Sequence, residues 1–185
     1  MRILGIILLI FVLQISEFAF CAEEVKTIFV SAAVNNKAVD VKKRFEQVLP
    51  AGTPVIYTIV PRGLIVSIRE DTFFSGESVY IKNIAAEVLN GIAKVLKDID
   101  NNCTVESHTE GHTSNAEDFN SNWEISMVRA NSIADYLIYC GKIPVERIFP
   151  VGFGDFMPFK DNVSKTNSGF DKRVDFVIFD YEYER

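Results

Sequence analysis

At residues 119–130 the sequence reads FNSNWEISMVRA, and this stretch predicts where a helix begins. Ser121 and Glu124 have the spacing of a capping box, in which each side chain satisfies a free backbone donor of the other residue. Apolar residues then recur at the period of one helix face: Ile125, Val128, Ile133, Ala134, Leu137 and Ile138. Gly141 is a natural end for this helix, because glycine closes a helix at little steric cost.

Strands and a second helix surround this segment. Residues Val79–Ile99 carry apolar side chains in steps of three and four, which predicts a long amphipathic helix. We predict strands at Leu64–Ile68, Cys103–His108, Ile148–Val151 and Arg173–Phe179, with a turn at Gly152–Gly154. The order strand, helix, strand, helix, strand, strand predicts an α/β (or α+β) fold, in which helices pack on a mixed β-sheet.

The charge balance argues against one class of partner. The chain has 19 Lys and Arg residues against 25 Asp and Glu residues, and its formal net charge is -6. Nucleic-acid binding normally requires a basic patch, and the sequence contains no run of Lys and Arg. We therefore expect no nucleic-acid partner.

Residues 1–22 are predicted to be a secretory signal peptide. Met1-Arg2 gives a positive start, and the apolar run Ile3–Leu13 is shorter than the roughly 20 residues that span a membrane. An uncleaved membrane anchor is the alternative, which Gln14 and Glu17 disfavour. Cleavage near Ala22 and lipidation of Cys21 both stay open. We expect a periplasmic protein, with attachment to the outer membrane left open.

Residues 23–61 are predicted to be an N-terminal extension or small lead-in element before a domain at 62–185. A short strand is expected at Thr27–Val30, a helix at Val39–Leu49 and a strand at Val55–Val60. This region contains no motif that indicates chemistry.

Short motifs follow one another in order between residues 62 and 179. They are Arg62-Gly-Leu-Ile-Val-Ser-Ile68 with Phe74-Ser-Gly76, then Ser107-His-Thr-Glu110, Phe119-Asn-Ser-Asn-Trp-Glu-Ile-Ser126 with Arg129-Ala130, Pro144-Val-Glu-Arg-Ile148 with Val151-Gly-Phe-Gly154 and Pro158, and Asp171-Lys-Arg-Val-Asp175. In order and spacing they resemble OmpA-like peptidoglycan-binding domains, and most closely the MotB-type members.

The resemblance implies a site for diaminopimelate, whose side chain in peptidoglycan stem peptides ends in an ammonium and a carboxylate. A guanidinium fork matches a carboxylate with two parallel hydrogen bonds, so Arg129 is expected to pair that group and Glu110 to hold the ammonium. The remaining expected site residues are Thr109 and Phe119, which would line the pocket, Asn122, which would brace its loop, and Arg173, which would lie nearby.

Three positions depart from the family pattern. Glu110 stands where the family has Asp, Ser107 where it has Gly, and Lys172 where it has Arg. The resemblance implies a non-enzymatic anchor without a cofactor or metal, with peptidoglycan as partner. An envelope protein and a second copy of the chain are further partners left open. Replacement of Arg129 by alanine is expected to abolish binding to purified sacculi and to leave the fold intact.

A zinc-dependent hydrolase is the first alternative. His108, Glu110 and His112 alternate, so they would face one side of a continuous strand and could hold zinc with an open fourth position. Gly111 disfavours this reading, because it is expected to end the strand.

A flagellar-motor stator component like MotB is the second alternative. Those proteins have an N-terminal transmembrane helix with a proton-carrying Asp, whereas the first Asp of this chain is Asp40.

Cys103 and Cys140 are expected at the pole opposite the pocket. In an oxidising periplasm they would be able to form a disulfide.

Overall fold

A computed structural model of the protein describes residues 37–110, 119, 121–159 and 169–180. Its strands are β1 (Val55–Val60), β2 (Gly63–Arg69), β3 (Cys103–His108), β4 (Ile148–Gly154) and β5 (Arg173–Phe179). Its longer helices are α1 (residues 37–48), α2 (Ala85–Lys97) and α3 (Asn122–Asp135), and α3 continues into a wider turn at Tyr136–Cys140. The predicted signal peptide, the strand at Thr27–Val30 and His112 lie outside the described residues.

The strands form one mixed sheet in the order β1-β2-β5-β3-β4. The neighbours β1–β2, β2–β5 and β5–β3 are antiparallel, whereas β3 and β4 are parallel. The predicted α/β class with helices on a mixed sheet is confirmed. Within the described ranges, no helix combines the length and the apolar character needed to cross a membrane.

The helices pack on one face of this sheet. Val66, Val105 and Phe176 point to that face from neighbouring strands and are fully buried. They share one core cluster with residues of all three helices, namely Phe45 of α1, Leu89 of α2 and Ile133 of α3. Full burial of one such side chain stabilises a fold by about 1.5–3 kcal/mol.

Residues 37–60 contribute α1 and β1 to this sheet and its core. β1 pairs with β2 along its whole length, from Val55 opposite Ile68 to Val60 opposite Gly63. Phe45 of α1 is fully buried in the core. The boundary predicted between residues 61 and 62 therefore falls in the turn that joins β1 to β2.

α2 begins six residues later than its apolar periodicity predicted. The backbone N–H of Lys82 donates to the carbonyl of Phe73 (2.8 Å), and Ala85 N–H donates to Lys82 (2.9 Å). These bonds hold residues 79–84 as a loop, and Ile84 is exposed. Apolar spacing alone did not distinguish this loop from the first turns of the helix.

The predicted turn at Gly152–Gly154 is instead the end of β4. These residues pair in parallel with the end of β3, with a register shift between Ser107 and His108. The start of α3 lies directly on them, and Ser126 Oγ accepts a hydrogen bond from Gly154 N (2.9 Å). Glycine is required there because the helix backbone approaches the strand closely.

Gly152→Ala is therefore expected to lower the free energy of unfolding by about 1–3 kcal/mol. A Cβ at this position would lie 2.5 Å from Met127 N and 2.7 Å from Ser126 Oγ, so α3 would have to shift. Chemical denaturation measures the loss. Gly91→Ala is the control, because its Cβ would lie 3.3 Å from the nearest atom, the carbonyl oxygen of Val48. Equal effects of the two changes would contradict the close approach.

The expectation of a disulfide between Cys103 and Cys140 is wrong. Cys103 and Cys140 are both free thiols, and Cys103 is buried in the core whereas Cys140 is exposed. Burial raises the pKa of the Cys103 thiol to about 12, although the charge of Arg147 opposes the shift. Cys103 therefore behaves as an apolar packing residue.

Candidate functional site

Three strands bring charged residues to one edge of the sheet, by which we mean the end where β2 and β3 finish and β5 begins. β2 ends at Arg69, β3 ends at His108 and β5 begins at Arg173, and these residues are paired side by side. Glu70 and Thr109 follow directly after β2 and β3, so both reach the same edge. α3 begins there too, since Trp123 of its first turn lies against Gly154 at the end of β4. The predicted cap is present, because Ser121 Oγ accepts from Glu124 N (3.1 Å).

Arg129 of α3 is the largest fully buried side chain at this edge, with 1% of its surface exposed. Its Nε donates to the carbonyl of Ser78 (3.0 Å) and its Nη2 to the carbonyl of Gly76 (2.5 Å). The guanidinium also lies over the ring of Phe74, with 5.1 Å between Cζ and the ring centroid. Arg129 thus holds the loop that follows β2 in place.

Glu70 supplies the negative charge that Arg129 needs. Its Oε2 lies 2.8 Å from Arg129 Nη1, and it accepts a hydrogen bond of 2.6 Å from the hydroxyl of Thr109. Arg129 Nη1 also donates to that hydroxyl (3.2 Å). Burial lowers the pKa of Arg129, while the charge and hydrogen bond of Glu70 oppose the shift. The Arg129–Glu70–Thr109 triad, as we call it, is a buried and mutually satisfied ion pair.

A cleft opens beside this triad. One part has a volume of about 270 Å³ and an adjoining part has about 300 Å³. Four carboxylates and two cations line the first part: Glu70, Asp71, Glu77 and Glu110, with Arg129 and Lys172. Glu110 and Lys172 are exposed, whereas Glu70 and Arg129 are buried. The cleft wall is therefore acidic on balance, and its deep end is the buried ion pair.

A larger cavity of about 740 Å³ lies at the opposite edge of the sheet. It is bounded by α1, by the start of β2 and by the end of β5, and Lys37, Arg44 and Arg147 are among its lining residues. We place the functional site at the smaller cleft, because the ordered motifs and the buried triad meet there.

Three of the six residues predicted for the site line the cleft: Arg129, Glu110 and Thr109. Arg129 and Glu110 both line the cleft, but the carboxylate that pairs with Arg129 belongs to Glu70. Thr109 is buried and bridges the pair. Asn122 Nδ2 donates to Asp155 (3.4 Å), so it contacts the turn after β4. Phe119 is half-buried and does not line either part of the cleft.

Arg173 lies on the sheet face opposite the helices, where it belongs to a second buried cluster. Its Nε donates to Asp175 Oδ2 (2.9 Å), and its Nη1 donates to the carbonyl of Phe170 (3.1 Å). His108 Nε2 lies 3.3 Å from the same Asp175 oxygen, and its ring stacks on Phe153. Arg173 thereby connects the start of β5 to the segment before it.

This cluster controls the charge of Asp175. Burial alone would raise the pKa of Asp175, but the hydrogen bond from His108 and the charge of Arg173 hold it below its ordinary value. Burial also raises the pKa of the neighbouring Glu106. Asp175 is therefore charged at neutral pH and depends on its partners.

The structure separates the residues proposed as a zinc site. Glu110 lies at the cleft, whereas His108 is buried with Asp175 on the other face of the sheet, and His112 is outside the described residues. Ligand atoms of Glu106, His108 and Asp175 do lie within 4.8 Å of one another. However, the guanidinium of Arg173 already balances Asp175 there, so a metal ion would have to compete with it.

Glu70 is the site residue that the sequence interpretation missed. It lies in Arg69-Glu70-Asp71, a polar stretch between the motif that ends at Ile68 and Phe74-Ser-Gly76. Its position directly after β2 was an available signal, because Glu110 also follows a strand that ends at this edge. The pairing with Arg129 joins residues far apart in the chain and has no local pattern.

The fold and cleft together define a small α/β domain with a charged cleft at one edge of its sheet. The chain belongs to the OmpA family, which matches residues 73–171. The resemblance identified from the motifs is confirmed.

One curated relative is similar to about two thirds of this chain. An uncharacterized protein of Bacillus subtilis, YtxE, is 35% identical over 118 residues, which cover 63% of this chain and 48% of that protein. The chain thus spans about half the length of this curated relative.

Two solved structures are also similar. The cell wall anchor of the T6SS from Pseudomonas aeruginosa is 25% identical, has a TM-score of 0.60, and aligns over 68% of this chain and 87% of that one. A putative MotB like protein from Desulfovibrio vulgaris has the same fold, with a TM-score of 0.70, 20% identity, and coverage of 81% and 96%.

Proposed function

We propose that the domain binds the peptide stem of peptidoglycan without covalent chemistry and so anchors an exported protein to the cell wall. The observation that carries this proposal is the Arg129–Glu70–Thr109 triad at the floor of a charged cleft, in a chain of the OmpA family. Similarity to a structure described as a cell wall anchor supports it. We propose an anchor rather than an enzyme, a role that membership of the OmpA family and the similarity to a cell wall anchor support.

The chemistry of the stem peptide suits this cleft. Diaminopimelate presents an ammonium group, and exposed Glu110 places negative charge on the cleft wall where an ammonium can approach. Thr109 and Arg129 form the floor, which is rigid because each of their groups already has a partner. A preorganised floor lowers the entropy lost on binding.

Such a ligand also fixes where the protein acts. Peptidoglycan lies outside the cytoplasmic membrane, so we propose a periplasmic location for the domain, reached through the predicted signal peptide. Outer-membrane attachment, an envelope protein partner and a homodimer are compatible additions to this role.

Glu110→Gln is expected to weaken retention on purified sacculi about two- to fivefold, because exposed charge pairs contribute modestly. The measurement is co-sedimentation of the full chain with sacculi over a range of protein concentrations. Glu87→Gln is the matched control, since Glu87 is exposed on α2 and does not line the cleft. Failure of the unchanged protein to sediment with sacculi would remove the proposed function.

A further inference from the structure

We propose that the outer side of β1 is an interface with a second copy of this chain, whose β1 pairs with it antiparallel around a two-fold axis. The five-stranded sheet of one copy would then continue into the sheet of the other. The proposal goes beyond wall binding and does not depend on it. None of the described residues that line the cleft belongs to β1 or α1, so the cleft stays open in such a dimer.

β1 is an outermost strand without the features that usually keep such a strand from pairing. In the part of the chain that the structure describes, β2 is its only neighbouring strand. Its sequence, Val55-Ile-Tyr-Thr-Ile-Val60, has no charged residue and no proline, whereas natural sheets commonly protect an outermost strand with lysine, proline or a bulge. The outermost strand on the other side, β4, contains Pro150, which has no N–H to donate to a further strand. β1 is therefore the side of the sheet that is open to another strand.

Alternate residues of β1 direct their backbone groups away from β2. The N–H of Arg69 donates to the carbonyl of Pro54 (3.3 Å), and in an antiparallel ladder such bonding recurs at every second pair of residues. Val55, Tyr57 and Ile59 therefore direct their N–H and C=O groups outward. Two residues of β1 are exposed and the other four are half-buried, so a further strand can reach these groups.

A second copy fits this strand in a self-complementary register centred on Tyr57. With Tyr57 opposite its equivalent, Val55 of each copy lies opposite Ile59 of the other, as a two-fold axis requires. The three outward-directed residues would then form about six hydrogen bonds between the copies. The facing side chains are apolar or aromatic, and cross-strand pairs of this kind stabilise a sheet.

α1 brings charges of both signs to the same axis. Lys42 Nζ lies 5.7 Å from the centroid of the Tyr57 ring, and Glu46 Oε1 lies 3.6 Å from Lys42 Nζ. A two-fold axis beside Tyr57 brings Lys42 of one copy toward Glu46 of the other. This arrangement favours a second copy over a partner of a single charge sign, although exposed ion pairs of this kind contribute modestly.

The contact is small, so the dimer is expected to be weak. Specific and stable interfaces bury about 1,200–2,000 Å², and one strand pair with its flanking side chains falls near the lower end of that range. We expect a dissociation constant on the order of 10–100 μM. In sedimentation equilibrium the average mass should rise from one chain toward two across these concentrations. The mass of a single chain throughout, as expected if another segment of the same chain occupies this side of β1, would overturn the proposal.

Disulfide cross-linking tests the register. The variants carry Cys140→Ser, which removes the exposed native thiol. Tyr57→Cys is expected to form a disulfide between copies under oxidation, because directly opposite Cα atoms lie about 5.5 Å apart. Thr58→Cys is the matched control, since the register places its two equivalents beyond the roughly 7 Å that a disulfide can bridge. Equal cross-linking of the two variants, or of neither, would overturn the proposed pairing.

Ile59→Pro tests the interface without removing a bond to β2. The N–H of Ile59 points away from β2, so proline there should leave the ladder with β2 intact and block the ladder with a second copy. We expect this variant to keep a cooperative urea transition and to sediment with the mass of one chain. A folded Ile59→Pro variant that dimerises as well as the unchanged protein would overturn the proposal. Sacculus binding is measured separately, so loss of the dimer is distinguishable from failure of the proposed function.

Discussion

Arg129→Ala is expected to abolish binding to sacculi and to lower the free energy of unfolding by about 3–5 kcal/mol. Arg129 is buried and pairs with buried Glu70 over 2.8 Å, so its removal leaves a carboxylate without a compensating charge. The carbonyls of Gly76 and Ser78 lose their donor as well. This corrects the expectation from sequence that the substitution would leave the fold intact.

A double-mutant cycle separates the two effects. The cycle consists of Arg129→Met, Glu70→Gln and the double variant. The double variant lacks both charges, so it should be less destabilised than Arg129→Met alone, and urea denaturation should measure the coupling energy between the two positions. The double variant should remain folded at a temperature where sacculus binding can be tested, and it should still fail to bind. A single variant as stable as the unchanged protein would show that the buried pair does not form. Binding by the folded double variant would remove Arg129 and Glu70 from the site.

Asp175→Asn is expected to produce a loss of similar size, about 3–5 kcal/mol at neutral pH. Asp175 and Arg173 are both buried, and Arg173 Nε lies 2.9 Å from the carboxylate. The substitution leaves the guanidinium without its anion and replaces the charged acceptor of the His108 hydrogen bond with a neutral amide oxygen. Asp40→Asn is the control, because Asp40 pairs with Lys43 on the exposed face of α1 and should matter little.

The difference in the free energy of unfolding between the unchanged protein and Asp175→Asn should also depend on pH. The folded state holds the pKa of Asp175 below its ordinary value of about 3.9. Its contribution to stability is therefore fully present above about pH 4 and is lost as the pH falls through the folded-state pKa. Denaturation curves at pH 7 and at successively lower pH should converge for the two proteins. A gap that stays constant with pH would contradict the charged network.

Local sequence patterns predicted much of the fold, because the interactions that determine those elements join residues close together in the chain. The spacing of Ser121 and Glu124 predicted the start of α3, and the cap bond is present. β5 was predicted at Arg173–Phe179, the range that the structure shows. The family motifs likewise predicted that Glu110, Thr109 and Arg129 would come together at one edge.

The remaining features depend on contacts between distant segments. Gly152 and Gly154 suggested a turn, because the approach of α3 that requires them is not visible in their own neighbourhood. Cys103 and Cys140 formed an even pair, but one side chain points into the core and the other to solvent. The position of Glu70 directly after β2 places it at the right end of the sheet, but its pairing with Arg129 is visible only once the loop after β2 lies beside α3.

A backbone amide NMR titration of the full chain with a diaminopimelate-containing stem peptide tests the location of the binding site most directly. We expect shifts at Gly76, Glu77, Thr109, Glu110 and Lys172, which surround the cleft, and little change at the cavity beside α1. Shifts confined to that opposite cavity, or no shifts at saturating peptide, would contradict a stem-peptide site at the Arg129–Glu70–Thr109 triad.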